Sequence, residues 1–331
     1  MEKNKIVEDL DFFQQIFFDE LDSWFSADIV CCECCYNEFI EKWPAIYSRD
    51  LDFQCNTIDI LSFYSGSRLG YHFSKEEYLY LIEYIRCPRC NSSIGHTLFS
   101  YNFPFDIPLD FEDQLEEIDL LAKNTPFLLL SHPLAKKAFD TITNLAKSTA
   151  SKKINEKYFR ARVFMDMDNE GSKKTYTEVD FIAAPKELVA EGRYNHAGFP
   201  SLYLANTPTT CFYELREPKE GIAVAEVNVE KPLKILDLLL LEKEGEDESI
   251  INMILWSSLM QSPEKGEGWY NPHYTFTRFI ADCAKSAGFD AIKYPSVRNT
   301  DGYNLVILNG AAINEDIQIY NIRILNGVSC K

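Results

Sequence analysis

Apolar positions in the first 25 residues recur three and four apart. In residues 7–25 (VEDLDFFQQIFFDELDSWF), Leu10, Phe13, Ile16 or Phe17, and Leu21 form one stripe with acids between them, which predicts an amphipathic helix. Residues 75–85 repeat the pattern through Tyr78, Leu81 and Ile82. Two more helices are expected over residues 111–122 and 133–147, separated by a short loop containing Asn124, Thr125 and Pro126. The polar run at 148–156 (STASKKINE) reads as a linker. Beyond it come short β-rich runs at 158–164, 201–205, 221–229, 291–294, 303–308 and 317–325. Two helices interrupt them. One covers 208–215, with Thr207 as N-cap and Pro208 at the first helical position; the other covers 274–287 and is closed by Gly288. The pattern predicts an α+β chain: a mainly helical domain over residues 1–125, a helical connector over 126–150, and a mixed α/β domain over 151–331.

Composition supports two folded domains. The 331 residues are 46% hydrophobic and 25% charged, as in globular proteins, and the length allows two cores of ordinary size. The longest apolar runs, 127–130 and 238–241, are core-sized and far short of the ~20 residues of a membrane span. Acids fall inside MEKNKIVEDLDFF, where a signal peptide would be apolar, so a cytoplasmic location is expected. The net charge of −18 is uneven: residues 1–125 hold 24 acids and 9 bases (−15), the remainder 27 and 24 (−3). A segment that acidic is repelled by phosphate backbones and anionic headgroups, so neither nucleic acid nor membrane is an expected partner. The near-neutral remainder can still bind an anion locally.

Ten cysteines in a reducing compartment point to metal or catalysis rather than disulfides. Six of them make two groups, CCECC (Cys31, Cys32, Cys34, Cys35) and CPRC (Cys87, Cys90). Two C-x₂-C knuckles supply the four thiolates of a closed tetrahedral Zn²⁺ site. Cys31 with Cys34 and Cys32 with Cys35 have the same spacing; we write the expected ligands as Cys32, Cys35, Cys87 and Cys90. A zinc deaminase would need P-C-x-x-C and an upstream H-x-E, and here Arg86 precedes Cys87 while Phe73 and Ser74 follow His72. Cys55, Cys211, Cys283 and Cys330 have no metal-like spacing.

Five ordered motifs mark the C-terminal half: YFRARVF (158–164), GRYNHAGFPSLYLA (192–205), TPTTCFYELR (207–216), GFDAIKYPSVR (288–298) and GYNLVIL (302–308). Together they resemble the RES toxin family, named for an Arg, a Glu and a Ser, over residues 158–325. The resemblance places the first Arg on Arg160, with Arg162 two positions along the same strand face. It places the Arg of G-R-x-N on Arg193, the Tyr of L-Y-L-A on Tyr203, the Glu on Glu214 and the Ser on Ser296. The cysteine region is similar to the zinc-knuckle domain found ahead of RES and HEPN toxins.

The resemblance implies a fold similar to ADP-ribosyltransferases and cleavage of the nicotinamide–ribose bond of NAD⁺, in a toxin or defence effector. Implied partners are NAD⁺, inorganic phosphate or water as acceptor, and an antitoxin or regulatory protein. The chemistry suits the residue types. Nicotinamide departs neutral from an oxocarbenium-like transition state, so one preorganised carboxylate, Glu214, suffices. Arg160 and Arg193 offer bidentate donors to phosphate. Ser296 is expected to donate to a phosphate oxygen, and Tyr203 to pack a ring against nicotinamide or ribose. His196, His273 and Asn195 read as local structural residues. Two alternatives share the pattern: transfer of ADP-ribose to a protein, and a zinc-stabilised module that binds a nucleotide without cleaving it.

Overall fold

In the computed structural model, residues 2–25, 29–49, 57–103, 105–108, 110–167, 171–239, 246–261 and 274–326 are described. Cys55, His273 and Cys330 lie outside them. Contacts divide the chain into two units, Met1–Pro108 and Leu109–Lys331.

The first unit is built around the long helix Glu2–Phe25. Its stripe of Phe13, Ile16, Phe17 and Leu21 is buried against Phe63, Tyr78, Leu81 and Ile82, and Phe17 meets Phe63 edge-on at 5.4 Å. The helix Lys75–Leu81 starts at a capping box between Ser74 and Glu77, which satisfies end groups that the helix itself cannot. Three short strands, β1 (Ile29–Cys32), β2 (Thr57–Asp59) and β3 (Thr97–Tyr101), form an antiparallel sheet in the order β1-β3-β2. At three to five residues each they are too short to show a period, and the sequence pattern does not predict them.

The second unit holds a seven-stranded sheet. Its strands are β4 (Tyr158–Val163), β5 (Leu202–Ala205), β6 (Ile222–Val229), β7 (Ile235–Asp237), β8 (Ala291–Pro295), β9 (Tyr303–Ile307) and β10 (Ile317–Leu325). The order is β10-β6-β4-β5-β9-β8-β7, with β7 and β8 parallel and the other neighbours antiparallel. β4 pairs with β6 along its whole length but meets β5 at one position, Phe159 opposite Ala205. The sheet is therefore two ladders that diverge between β4 and β5.

The helices Phe111–Asn124 and Pro133–Ser148 belong to this second unit, whereas the sequence reading ended the first domain at 125 and made 126–150 a connector. Their apolar faces explain the difference. Phe111, Leu115 and Ile118 on one helix, and Leu134, Ala138 and Ile142 on the other, are buried, and both helices contact the helix Thr275–Ser286. The polar run at 148–156 is also tied in, because Lys152 bridges to Leu233 and Ile154 joins the sheet core. The run at 127–130 is core-sized yet mostly outside: Phe127 is 99% exposed, and of the four only Leu129 is buried.

Gly310 shows how tightly the core of this unit is closed. A Cβ there would lie 2.7 Å from the Ala183 Cβ and 2.9 Å from the Leu202 backbone nitrogen. Gly310→Ala is therefore expected to cost the second unit about 1–3 kcal/mol through overpacking, read as a lowered thermal midpoint. An unchanged midpoint would show that the segment relaxes freely.

Candidate active site and candidate metal centre

A cavity of about 260 Å³ opens where β4 and β5 part, lined by Arg160 and Arg162 of β4, Tyr203 of β5, Glu214, Tyr294 of β8 and Asn304 of β9.

Glu214 ends the short helix Pro208–Glu214, which Thr207 caps by accepting from the Thr210 backbone nitrogen. The Thr210 hydroxyl donates to Asn206 Oδ1 (2.8 Å) and accepts from Asn299 Nδ2 (3.0 Å), fastening the helix to the loop between β8 and β9. Gly302 makes that contact possible, since a Cβ there would come within 2.6 Å of the Thr210 hydroxyl. The chain then leaves the helix through Arg216 and Glu217, two consecutive non-glycine residues at φ 63° and 51°. Such left-handed backbone costs energy and persists where the surroundings enforce it.

Ser296 Oγ and Asn304 Nδ2 both donate to Glu214 Oε1, each at 2.7 Å. The Ser296 oxygen in turn accepts from the backbone nitrogens of Arg298 (3.2 Å) and Asn299 (3.1 Å). A serine has one proton to donate, and here it goes to Glu214, not outward to a phosphate as the sequence reading expected. Asn304 has no role in that reading. Its signal is an amide inside the apolar run of GYNLVIL, at a position that the structure buries.

Arg160 is 8% exposed. Its Nη1 donates to the Tyr203 carbonyl at 3.0 Å, while Nε is buried without a partner. Among the described residues no carboxylate pairs with it. Burial, reinforced by the neighbouring Arg162 charge, pulls its pKa down to about 9, and a guanidinium so placed is still charged at neutral pH. Arg162 also lines the cavity, but its Nε is tied to the Asp180 carbonyl at 2.8 Å.

Tyr203 is held by the GRYN turn. Its hydroxyl donates to Asn195 Oδ1 (2.8 Å) and accepts from the Tyr194 backbone nitrogen (2.9 Å). Asn195 closes the turn through Nδ2 to the carbonyls of Ala190 and His196. Gly192 is required at this point, because a Cβ would fall 2.3 Å from Asn195 Oδ1 and 2.9 Å from the Tyr203 hydroxyl. Arg193, the expected phosphate donor, is not brought into the cavity lining. It donates to the Met260 carbonyl at 2.7 Å and lies 4.5 Å from the centre of the Tyr274 ring. His196 pairs with Asp282 at 2.8 Å.

The first unit gathers Cys32, Cys35, Cys87 and Cys90, with all four sulfurs within 4.8 Å of one another. Cys32 ends β1, Cys35 lies in the first turn of the helix Glu33–Lys42, and the second pair sits on a turn where the Asn91 amide donates to the Cys87 carbonyl at 2.9 Å. Sulfur separations are 3.8 Å (Cys32–Cys35), 3.6 Å (Cys32–Cys90) and 3.7 Å (Cys35–Cys87). Four sulfurs at about 2.3 Å from one tetrahedral Zn²⁺ would stand about 3.8 Å apart, so the donor set fits a metal ion. The geometry chooses the second of the two equally spaced pairs: Cys34 is exposed, and Cys31 is buried outside the four. Burial lifts the Cys31 and Cys32 thiols to about 12 and about 11.

Residues 170–324 match the family model described as the RES domain. The match begins after β4, so Arg160 precedes it. No curated protein matches the chain. Among solved structures it is similar, at 13% identity and a TM-score of 0.36, to a chain of the M. tuberculosis MbcT–MbcA toxin–antitoxin complex, over 58% of this chain and 95% of that one. Among the described residues no helix is long and apolar enough to cross a membrane.

A buried cation without a carboxylate is costly in the resting protein. Arg160→Met, which keeps the bulk and removes the charge, is expected to stabilise the second unit by about 1–3 kcal/mol while weakening anion binding at least tenfold. Thermal melts with and without pyrophosphate check both. A lowered melting point in the variant would mean that the cation is compensated within the fold.

Proposed function

We propose that the second unit cleaves the nicotinamide–ribose bond of NAD⁺. The observation that carries this reading is the pairing, in one cavity, of a buried guanidinium lacking an anionic partner with a carboxylate fixed by two short hydrogen bonds. Arg160 recruits the anionic pyrophosphate, which needs planar donors in a desolvated place. A cavity of about 260 Å³ seats one end of a dinucleotide rather than the whole, leaving the adenosine end outside.

Bond breaking sends the C1′–N electron pair to the nicotinamide ring, which departs neutral, and leaves positive charge on the ribose. Glu214 faces that charge. Because Ser296 and Asn304 both hold Oε1, the carboxylate needs no reorientation when the charge develops, and its other oxygen remains for the sugar. The acceptor oxygen then bonds to C1′: phosphate attacks through an oxygen that is already unprotonated, and water releases its extra proton to solvent. Ser296 thereby acts as a positioning residue, and Tyr203 shapes the wall from the GRYN turn. In a cell the outcome is loss of NAD⁺, the action of a toxin or defence effector, and an antitoxin or regulatory protein would restrain it.

Glu214→Gln keeps the shape and still accepts at one oxygen, but removes the charge. It is expected to lower kcat on the order of 10²–10⁴-fold with little change in KM. Purified protein incubated with NAD⁺, with and without phosphate, and weighed products check this. Full activity in a folded Glu214→Gln variant would overturn the assignment. Expressed in bacteria, the native chain should deplete NAD⁺ and arrest growth, and the variant should not.

For the first unit we propose one structural Zn²⁺ on Cys32, Cys35, Cys87 and Cys90. Metal analysis of freshly reduced protein is expected to give one zinc per chain, and Cys35→Ser to lose it together with the protease resistance of residues 1–108, since metal binding supplies folding free energy. Protein that is fully folded and free of metal would refute it.

A further inference from the structure

Tyr294 is a polar group of the cavity that the reaction above leaves unused. It sits on β8 two residues before Ser296, is 7% exposed, and rests its ring against Tyr194 at 4.5 Å. No hydrogen bond from its hydroxyl to another described residue is present. Among the described residues, the buried side-chain polar atoms without a hydrogen bond are Arg160 Nε and Glu226 Oε2. The Tyr294 hydroxyl is not one of them, so the little surface that Tyr294 keeps includes its oxygen, and the space it reaches is the cavity it lines. The same reasoning holds for the second oxygen of Glu214: both intramolecular donors go to Oε1, and Oε2 is not sealed away. One cavity thus offers a hydrogen-bond donor and a hydrogen-bond acceptor, neither committed to the protein.

We propose that Tyr294 and Glu214 jointly read one hydroxyl group of the substrate sugar, the carboxylate accepting its hydrogen and the phenol donating to its oxygen. A hydroxyl is both donor and acceptor, and this pair matches both. On the reading that the substrate is NAD⁺, on which this proposal rests, it is the ribose 2′-hydroxyl, next to the carbon whose bond breaks. Tyr294 is then a specificity-determining residue. Burial, and after it the nearby Glu214 charge, hold its phenol well above its ordinary range, so it remains a donor at any pH the protein meets. A site that hydrogen-bonds a substrate hydroxyl from both sides leaves its own polar groups unpaired when the hydroxyl is missing, and rejects that analogue strongly.

The test crosses one enzyme substitution with one substrate change, in the full chain. Native protein should cleave NAD⁺ far faster than its 2′-deoxyribosyl analogue, by a factor on the order of 10²–10⁴ in kcat/KM. Tyr294→Phe, which removes the oxygen alone, should lose about 10–100-fold in kcat/KM on NAD⁺ and change little on the deoxy analogue. Its melting point should match the native one, because the hydroxyl has no partner in the unliganded fold. Equal losses on both substrates, or no loss on NAD⁺, overturn the role of Tyr294, and so does a destabilised variant, which would reveal an internal partner. Native protein that leaves NAD⁺ intact overturns the NAD⁺ reading itself, and the assignment of Tyr294 falls with it.

Discussion

The second unit is organised around a charge that its own fold leaves uncompensated. Arg160 lies between two ladders of one sheet, with a single backbone carbonyl as acceptor and a buried Nε that bonds to nothing. An isolated cation in such a place is tolerated only when its cost is small beside the total stability or is offset by a ligand. The sheet makes room for it by pairing β4 with β5 at Phe159 and Ala205 alone. Continuous pairing would fill the gap with backbone hydrogen bonds and leave no cavity. The single point of pairing, the orphaned guanidinium and the opening beside it are one feature.

Around that feature the remaining polar residues divide into those that face the cavity and those that hold them. Glu214 is reached from three directions: its own capped helix, the Ser296 turn and the Asn304 strand. Thr210 and Asn299 join the helix to the turn, and Gly302 permits their approach. Because each strut is a hydrogen bond between groups well apart in sequence, the carboxylate is placed by the fold as a whole and not by its local helix. That is what preorganisation requires of the role proposed above for Glu214.

Much of this was legible in the sequence where a single period governs several residues. The stripe Phe13, Phe17, Leu21 and the β-rich runs of the C-terminal half follow from spacing, because burial on one face imposes it. The metal-fitting cysteines were legible as two knuckles, but not which pair of CCECC contributes. Cys31 and Cys32 differ in where β1 ends, and β1 has too few residues to show a period. The grouping of the helices at 111–124 and 133–148 was hidden for another reason: an amphipathic face states that something covers it, and here that is the helix Thr275–Ser286, more than a hundred residues away. Asn304 and Tyr294 stood inside quoted motifs without a role, since their partners are set by strand register.

Arg160, Glu214 and Ser296, the residues that the resemblance matches to the Arg, Glu and Ser of the RES family, are unequal in this geometry. Arg160, which precedes the matched segment, lies in the cavity wall, and Glu214 faces the same space, but Ser296 is 3% exposed and its hydroxyl is saturated by two backbone amides and one carboxylate. A substrate phosphate could reach that proton only by displacing Glu214, which would free the carboxylate and undo the preorganisation in the same step. The serine is therefore better understood as part of the carboxylate than as a separate ligand for the substrate. It orders its own turn through the amides of Arg298 and Asn299 and passes that order to Glu214 through one bond. Asn304 repeats the task from the neighbouring strand. With both donors on one oxygen, the other carries no bond to the protein, and the direction in which Glu214 presents its charge is decided by Ser296 and Asn304.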